Sequence, residues 1–80
     1  MSNTPHELAE EFPAEAAQIH ALKLKDAHFA RLAEEYHEVN REVHRAETRS
    51  EAVDPRRETE LRQRRMRLKD EIWQMLKAEA

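Results

Sequence analysis

The stretch Arg64–Leu76, RRMRLKDEIWQML, decides between two structures for this chain. Its cations are typical of an arm that binds nucleic acid, whereas its apolar residues recur at the spacing of an amphipathic helix. Leu68, Ile72 and Met75 follow steps of three and four, and Leu61 begins the same stripe one heptad earlier. This spacing predicts that the stretch is one face of a packed helix.

A matching apolar stripe lies earlier in the chain, and the two stripes together predict the fold class. The earlier seam residues are Phe29, Leu32, Tyr36, Val39 and Val43. If the two helices run antiparallel, these residues fall opposite Leu61, Leu68, Ile72 and Met75 of the later stripe. We therefore expect an all-α protein, an antiparallel two-helix hairpin of coiled-coil type with a short N-terminal helix.

Capping signals and prolines predict where the elements begin and end. Thr4-Pro5 with Glu7 resembles a capping box, Asp26 is placed to restart a helix, and Asp54-Pro55 is a helix start. We expect one domain over residues 1–80. Its predicted segments are an N-terminal tail or turn over 1–13, helices over 14–25, 26–48 and 55–78, and a loop over 49–54.

The flanking charges of the hairpin suggest ion pairs that fix its register. In the antiparallel arrangement, Glu42 falls opposite Arg62, and Glu35 falls opposite Lys69. Two more contacts are expected, Glu38 with Arg65 and Arg45 with Glu58 or Glu60. Exposed pairs contribute only about 0–1 kcal/mol each, so we expect their main effect on orientation.

Composition excludes several classes of function. Charged residues make up 39% of the chain, the mean hydropathy is −1.04 and the formal net charge is −3. Because the chain has no Gly and no Cys, it has no glycine-rich phosphate loop, disulfide or thiolate site. We expect a cytoplasmic protein that has no cofactor, no small-molecule substrate and no membrane association.

The five histidines and the hydroxyl groups do not form a pattern typical of a metal site or a catalytic site. His37 and His44 are seven residues apart, two helical turns, which is too far for both to bind one metal ion. Glu34 and His37 resemble half of a di-iron motif, but the C-terminal helix lacks the second half. We expect neither a metal site nor an enzyme.

A second apolar stripe on the C-terminal helix has no partner in a two-helix hairpin. Met66, Trp73 and Leu76 lie about 100° round the helix from the Ile72 seam, and we expect Arg64 and Arg67 to form a polar rim beside them. Three occupants remain open: the N-terminal helix of the same chain, a second subunit, or another protein. The expected function is thus that of a self-associating interaction or adaptor protein.

Nucleic-acid binding is the alternative function. Its surface would consist of basic residues between 56 and 69, namely Arg56, Arg57, Arg62, Arg64, Arg65 and Arg67. Trp73 is the only aromatic residue nearby, and the sequence pI is about 5.9, so stacking residues and an overall basic charge are both lacking.

The run LKDEI, Leu68–Ile72, resembles the YdcH-like family of small bacterial proteins. The likeness extends over about 12–76 and includes His28-Phe29, the stretch 43–47 and the run RMRLKDEI. This resemblance implies a helical hairpin with a short N-terminal helix. It implies no activity, cofactor or catalytic residue.

Overall fold

The structure, a computed structural model, describes residues 6–48 and 54–78, and nearly all of these residues are helical. Its elements in chain order are α1 (Leu8–Glu11), a 3₁₀ turn (Pro13–Glu15), α2 (Ala16–Lys25), α3 (Ala27–Thr48) and α4 (Pro55–Ala78). The all-α prediction is confirmed. Helix α1 lies within the segment that was predicted as a tail or turn, and the predicted loop falls almost entirely outside the described residues.

Two aspartates cap the long helices. The Oδ1 atom of Asp26 accepts hydrogen bonds from the backbone N–H groups of His28 at 2.9 Å and Phe29 at 3.1 Å. The Oδ1 atom of Asp54 accepts one from the N–H of Arg56 at 3.0 Å. Each bond satisfies a donor that has no partner within the first helical turn. The proposed cap at Thr4-Pro5 lies outside the described residues.

Helices α3 and α4 form the hairpin and bury the apolar seam between them. Phe29, Val43 and Ile72 are each 0% exposed. The remaining seam residues of the hairpin are also buried, apart from the partly buried Met75: Leu32, Tyr36, Val39, Leu61 and Leu68.

A polar pair interrupts the seam. Asn40 is fully buried, and its Oδ1 accepts a hydrogen bond of 3.0 Å from the Nη1 atom of Arg65. This contact explains why an arginine tolerates a seam position: its side chain satisfies a buried amide and extends toward the surface.

Residues 6–25, which we call the N-terminal arm, fold back onto the hairpin as a third layer. Leu8, Ile19 and Leu22 of the arm are buried in the same core as the hairpin residues. Leu76 is only 1% exposed under this layer. Of the three occupants considered for the second stripe of α4, the structure contains the first, and Leu76 is a core residue rather than an exposed one.

The expected ion pairs across the hairpin differ from those in the structure. Arg62 binds Glu47 at 2.8 Å and Glu58 at 2.6 Å, rather than Glu42. Lys69 binds Glu11 at 2.7 Å, rather than Glu35. Arg65 donates its hydrogen bond to Asn40 rather than to Glu38. These differences arise because long side chains reach one helical turn along the partner helix, and because the arm supplies a carboxylate that the two-helix prediction did not include.

Within residues 6–48 and 54–78, none of the helices combines the length and apolar content needed to cross a bilayer.

The assignment of buried and exposed residues can be tested by comparing the stability of two alanine variants. We expect Ile72→Ala to lower the free energy of unfolding by about 2–5 kcal/mol, because it removes buried methyl groups and leaves a cavity. Leu24→Ala should change it by no more than about 0.5 kcal/mol, since Leu24 is 78% exposed. Urea unfolding followed by circular dichroism measures both. Equal losses in the two variants would contradict the assignment of the core.

Candidate interaction surface

Four residues of α4 form a strip at the edge of the hairpin that borders the arm. Arg62, Met66, Lys69 and Trp73 follow one another at steps of four, three and four, so they share one side of the helix. Met66 is 60% exposed and Trp73 is 37% exposed. We call these four residues the α4 outer strip. It combines an apolar centre with two flanking cations on a regular helix.

Trp73 makes its main contact with the arm of the same chain. Its ring stacks on Phe12, with centroids 5.3 Å apart and an angle of 7° between the ring planes. The ammonium group of Lys69 lies 5.8 Å from the centroid of the Phe12 ring, within the range of a cation–π contact. Offset or stacked aromatic pairs add about 0.5–1.5 kcal/mol beyond area burial. The stack therefore holds the arm against α4, and Trp73 stays 37% exposed.

An ion pair reinforces the stack next to it. The Lys69 Nζ donates to the Oε1 atom of Glu11 at 2.7 Å, and the Nδ1 atom of His6 lies 3.4 Å from the other oxygen of that carboxylate. The hydrogen bond from Lys69 is the main cause that lowers the pKa of Glu11 below its ordinary value. The same lysine thus contacts both the carboxylate and the ring of the arm.

At the other end of the strip, Arg62 is held by carboxylates on both helices. Its hydrogen bond to Glu47 of α3 is the largest cause of a lowered pKa at Glu47. Glu58 lies one turn earlier on α4 and binds the same guanidinium. Because Glu47 is exposed and Glu58 is partly exposed, these pairs add little stability, and their main effect is on the direction in which Arg62 points.

Tyr36 connects the hairpin core to the start of the arm. Its ring is 1% exposed, and its hydroxyl donates a 2.6 Å hydrogen bond to the backbone carbonyl of His6. His6 has a positive φ of 64°, in the left-handed region. Burial raises the pKa of the Tyr36 hydroxyl to about 12. A second contact, between the Nδ1 atom of His37 and Glu7 at 3.1 Å, joins the same two segments.

A shallow groove of about 510 Å³ lies between the start of the arm and α4. Met66 and Thr59 line it on the α4 side, and His6 and Glu11 line it on the arm side. Three cations, Arg62, Arg65 and Lys69, also border the groove. It is a mixed apolar and basic surface, suited to an amphipathic side-chain cluster rather than to an enclosed small molecule.

The sequence-predicted site residues do not all lie together. Met66 and Trp73 share the outer strip, whereas Leu76 is in the core. Arg67 is one residue from Met66, about 100° round the helix, and Arg64 is two residues away, about 200° round, so Arg64 does not border the strip. In the ranges 6–48 and 54–78, the exposed cations Arg64 and Arg67 form no ion pair.

The sequence prediction missed the two arm residues that complete the strip. No contact was predicted for Phe12 or for Glu11. The only local signal was an apolar residue before Pro13, which indicates a break in the helix but not where its side chain packs. As for metals, no group of three or more histidines and carboxylates converges within the described residues.

Comparison with known proteins supplies a family but no activity. Residues 29–76 match the family described as Protein of unknown function (DUF465). The chain belongs to this family. The match begins in α3 and ends in α4, so it corresponds to the hairpin and does not include the arm. No curated protein and no solved structure matches the chain.

The Lys69–Glu11 pair predicts a measurable linkage. Because the folded pKa of Glu11 is lowered, its contribution to stability is present above the unfolded pKa and is lost as the pH falls through the folded pKa. In Lys69→Met, we expect the pKa of Glu11 to rise toward its ordinary value, as measured by NMR titration of the side-chain carboxyl carbon. The control is Arg67→Met, which removes a cation that is not paired with Glu11. An unchanged Glu11 titration in Lys69→Met would contradict the contact.

Proposed function

We propose that this protein is a non-catalytic helical interaction module, an adaptor that binds a second copy of itself and other proteins through the α4 outer strip. The observation that carries this proposal is Met66, an apolar side chain 60% exposed at the centre of the strip, with Arg62 and Lys69 on either side. The partly exposed Trp73 extends this apolar surface along the helix. Methionine, tryptophan and arginine are enriched at protein interfaces.

The strip also has the rigidity that an interface needs. Arg62 contacts two carboxylates and Lys69 contacts Glu11, so both cations already have partners in the free chain. Trp73 is held by its stack on Phe12. Preordered side chains lose less conformational entropy on association. A partner would therefore contact mainly the apolar centre, because the flanking cations already have carboxylate partners in this chain.

The same chain carries the complementary charge. Helix α4 contains eight basic and four acidic residues, whereas α3 contains three basic and five acidic residues. A second copy can therefore bring an acidic α3 surface to the basic α4 surface of the first. This charge division supports self-association and favours a defined orientation.

Several finer statements belong to the same proposal. We assign the protein to the cytoplasm, we regard the hairpin as coiled-coil-like, and we place the chain near the YdcH-like proteins that the run LKDEI resembles. We also propose that it has no catalytic role. This is supported by Glu11 and Glu47, the acids with lowered pKa values, because each is bound to a cation of the fold.

A charge placed at the centre of the strip tests the proposal. We expect Met66→Glu to weaken self-association by about tenfold or more, since it puts a charged group where the apolar contact would form. The matched control is Leu24→Glu, which changes a more exposed leucine on α2. Sedimentation equilibrium measures the association, and circular dichroism verifies the helix content of each variant.

Two outcomes would count against the proposal. One is a wild-type protein that stays monomeric at all concentrations and recovers no protein partner from lysate. The other is an equal effect of Met66→Glu and Leu24→Glu, which would show that the position on α4 is irrelevant.

The second candidate function is nucleic-acid binding by the arginines of α4. It is favoured by Arg56, Arg64 and Arg67, which are exposed and make no ion pair among the described residues. Against it, Arg57 is paired with Glu42 at 3.5 Å, and Arg62 and Arg65 are engaged by other side chains. Titration of a duplex DNA probe at several salt concentrations separates the candidates, because phosphate contacts make binding fall steeply with salt.

A further inference from the structure

We infer that the N-terminal arm exchanges between two copies of this chain, with Asp26 as the hinge, so that the arm of each copy covers the α4 helix of the other. This goes beyond the proposed function, because it concerns the face beneath the arm and not the outer strip. The occupant of that face in the dimer is the same segment, residues 6–25, supplied by the second copy.

The hinge is a single residue between two helices. Asp26 has φ −126° and ψ 108°, an extended conformation, whereas its neighbours are helical. Two hydrogen bonds of α-helical spacing meet at this residue: the N–H of Asp26 donates to the carbonyl of Leu22 at 2.9 Å, and the N–H of Ala30 donates to the carbonyl of Asp26 at 2.9 Å. Rotation at this one residue would therefore join α2 and α3 into one continuous helix.

A straight form, in which α2 and α3 are one continuous helix, has about as many hydrogen bonds as the observed bent form, in which the helix breaks at Asp26. Straightening breaks the two bonds that the Asp26 side chain accepts from His28 and Phe29. In return, the N–H groups of residues 27–29 reach carbonyls four residues earlier. The junction contains no glycine or proline that would oppose a continuous helix.

A straightened arm cannot remain alone in water. Its residues would extend past the end of the hairpin and expose Ile19 and Leu22, which are 4% and 1% exposed in the bent form. The hairpin would at the same time expose Leu76 and the inner face of Trp73. A second straightened copy would bury both exposed surfaces, because the arm of each copy fits the hairpin face that the arm of the other copy has left.

Every contact between the arm and α4 can be reproduced between copies. These contacts include the Phe12–Trp73 stack, the Glu11–Lys69 pair, the cation–π contact of Lys69 with the Phe12 ring, and the 2.9 Å hydrogen bond from the Nε2 atom of Gln18 to the carbonyl of Leu76. None of them depends on which chain supplies the arm. The cap at Asp26 is lost in the exchange, so the hinge controls the balance between monomer and dimer.

Substitutions at the hinge test this balance. Asp26→Ala removes the cap of the bent form at both hinges, and we expect it to lower the dimer dissociation constant by about 30-fold. Asp26→Asn is the matched control, since asparagine caps as well as aspartate, and its dissociation constant should equal that of the wild type. Sedimentation velocity across a concentration series measures all three proteins. Equal constants for Asp26→Ala and Asp26→Asn would overturn the inference.

A proline at position 27 should shift the balance the other way, toward the bent monomer. Ala27→Pro suits the first turn of α3 and restricts Asp26 to extended backbone, but it would break a continuous helix. We expect this variant to keep the helix content and Trp73 fluorescence of the wild type and to lose the exchanged dimer. If Ala27→Pro protein still forms a disulfide between position 12 of one chain and position 73 of another, once cysteines are placed there, the inference fails.

Cross-linking identifies the exchanged arm directly, because the natural chain has no cysteine. Phe12→Cys protein is mixed with Trp73→Cys protein and oxidised after equilibration. A disulfide between position 12 of one chain and position 73 of the other supports exchange. Links between two copies of position 73 only, or no link, would overturn it.

The two proposals fail separately. Association through the outer strip should survive Ala27→Pro, whereas the link between positions 12 and 73 should survive Met66→Glu.

Discussion

The constraint on which this structure depends is that the apolar surface of α4 is wider than α3 alone can cover. Leu61, Leu68 and Ile72 face the seam, but Leu76 and Trp73 continue the apolar surface round the helix. A two-helix hairpin would leave them in water. The arm removes this exposure by packing as a third layer, which leaves Leu76 only 1% exposed.

The polar contacts of the molecule follow from that packing. Once Phe12 lies on Trp73, Glu11 comes within 2.7 Å of the Lys69 ammonium group, and Gln18 reaches the carbonyl of Leu76. The N-terminal end of the arm is fixed in the same way by the Tyr36 hydroxyl. Two members of the outer strip thus depend on the arm, because Glu11 pairs with Lys69 and Phe12 stacks on Trp73.

Local periodicity and capping signals predicted the features that one helix or two adjacent helices determine, namely buried faces and helix starts. The spacing of Phe29, Leu32 and Tyr36 was sufficient to identify a buried face, and Asp54-Pro55 was sufficient to mark a helix start. The partner of Lys69 was not predictable in this way, since Glu11 lies 58 residues away. Leu76 was predicted to contact a partner or a second subunit, because periodicity left open which of three occupants covers the second stripe of α4.

The contact between Phe12 and Trp73 is the most direct test of this account, because it exists only if the arm covers α4. Trp73 is the only tryptophan in the chain, so its indole protons are readily assigned. A NOESY spectrum of the full chain should contain cross-peaks between the indole protons of Trp73 and the ring protons of Phe12. Their absence from a protein with the expected helix content would contradict the three-layer structure, and with it the contacts between the arm and the outer strip.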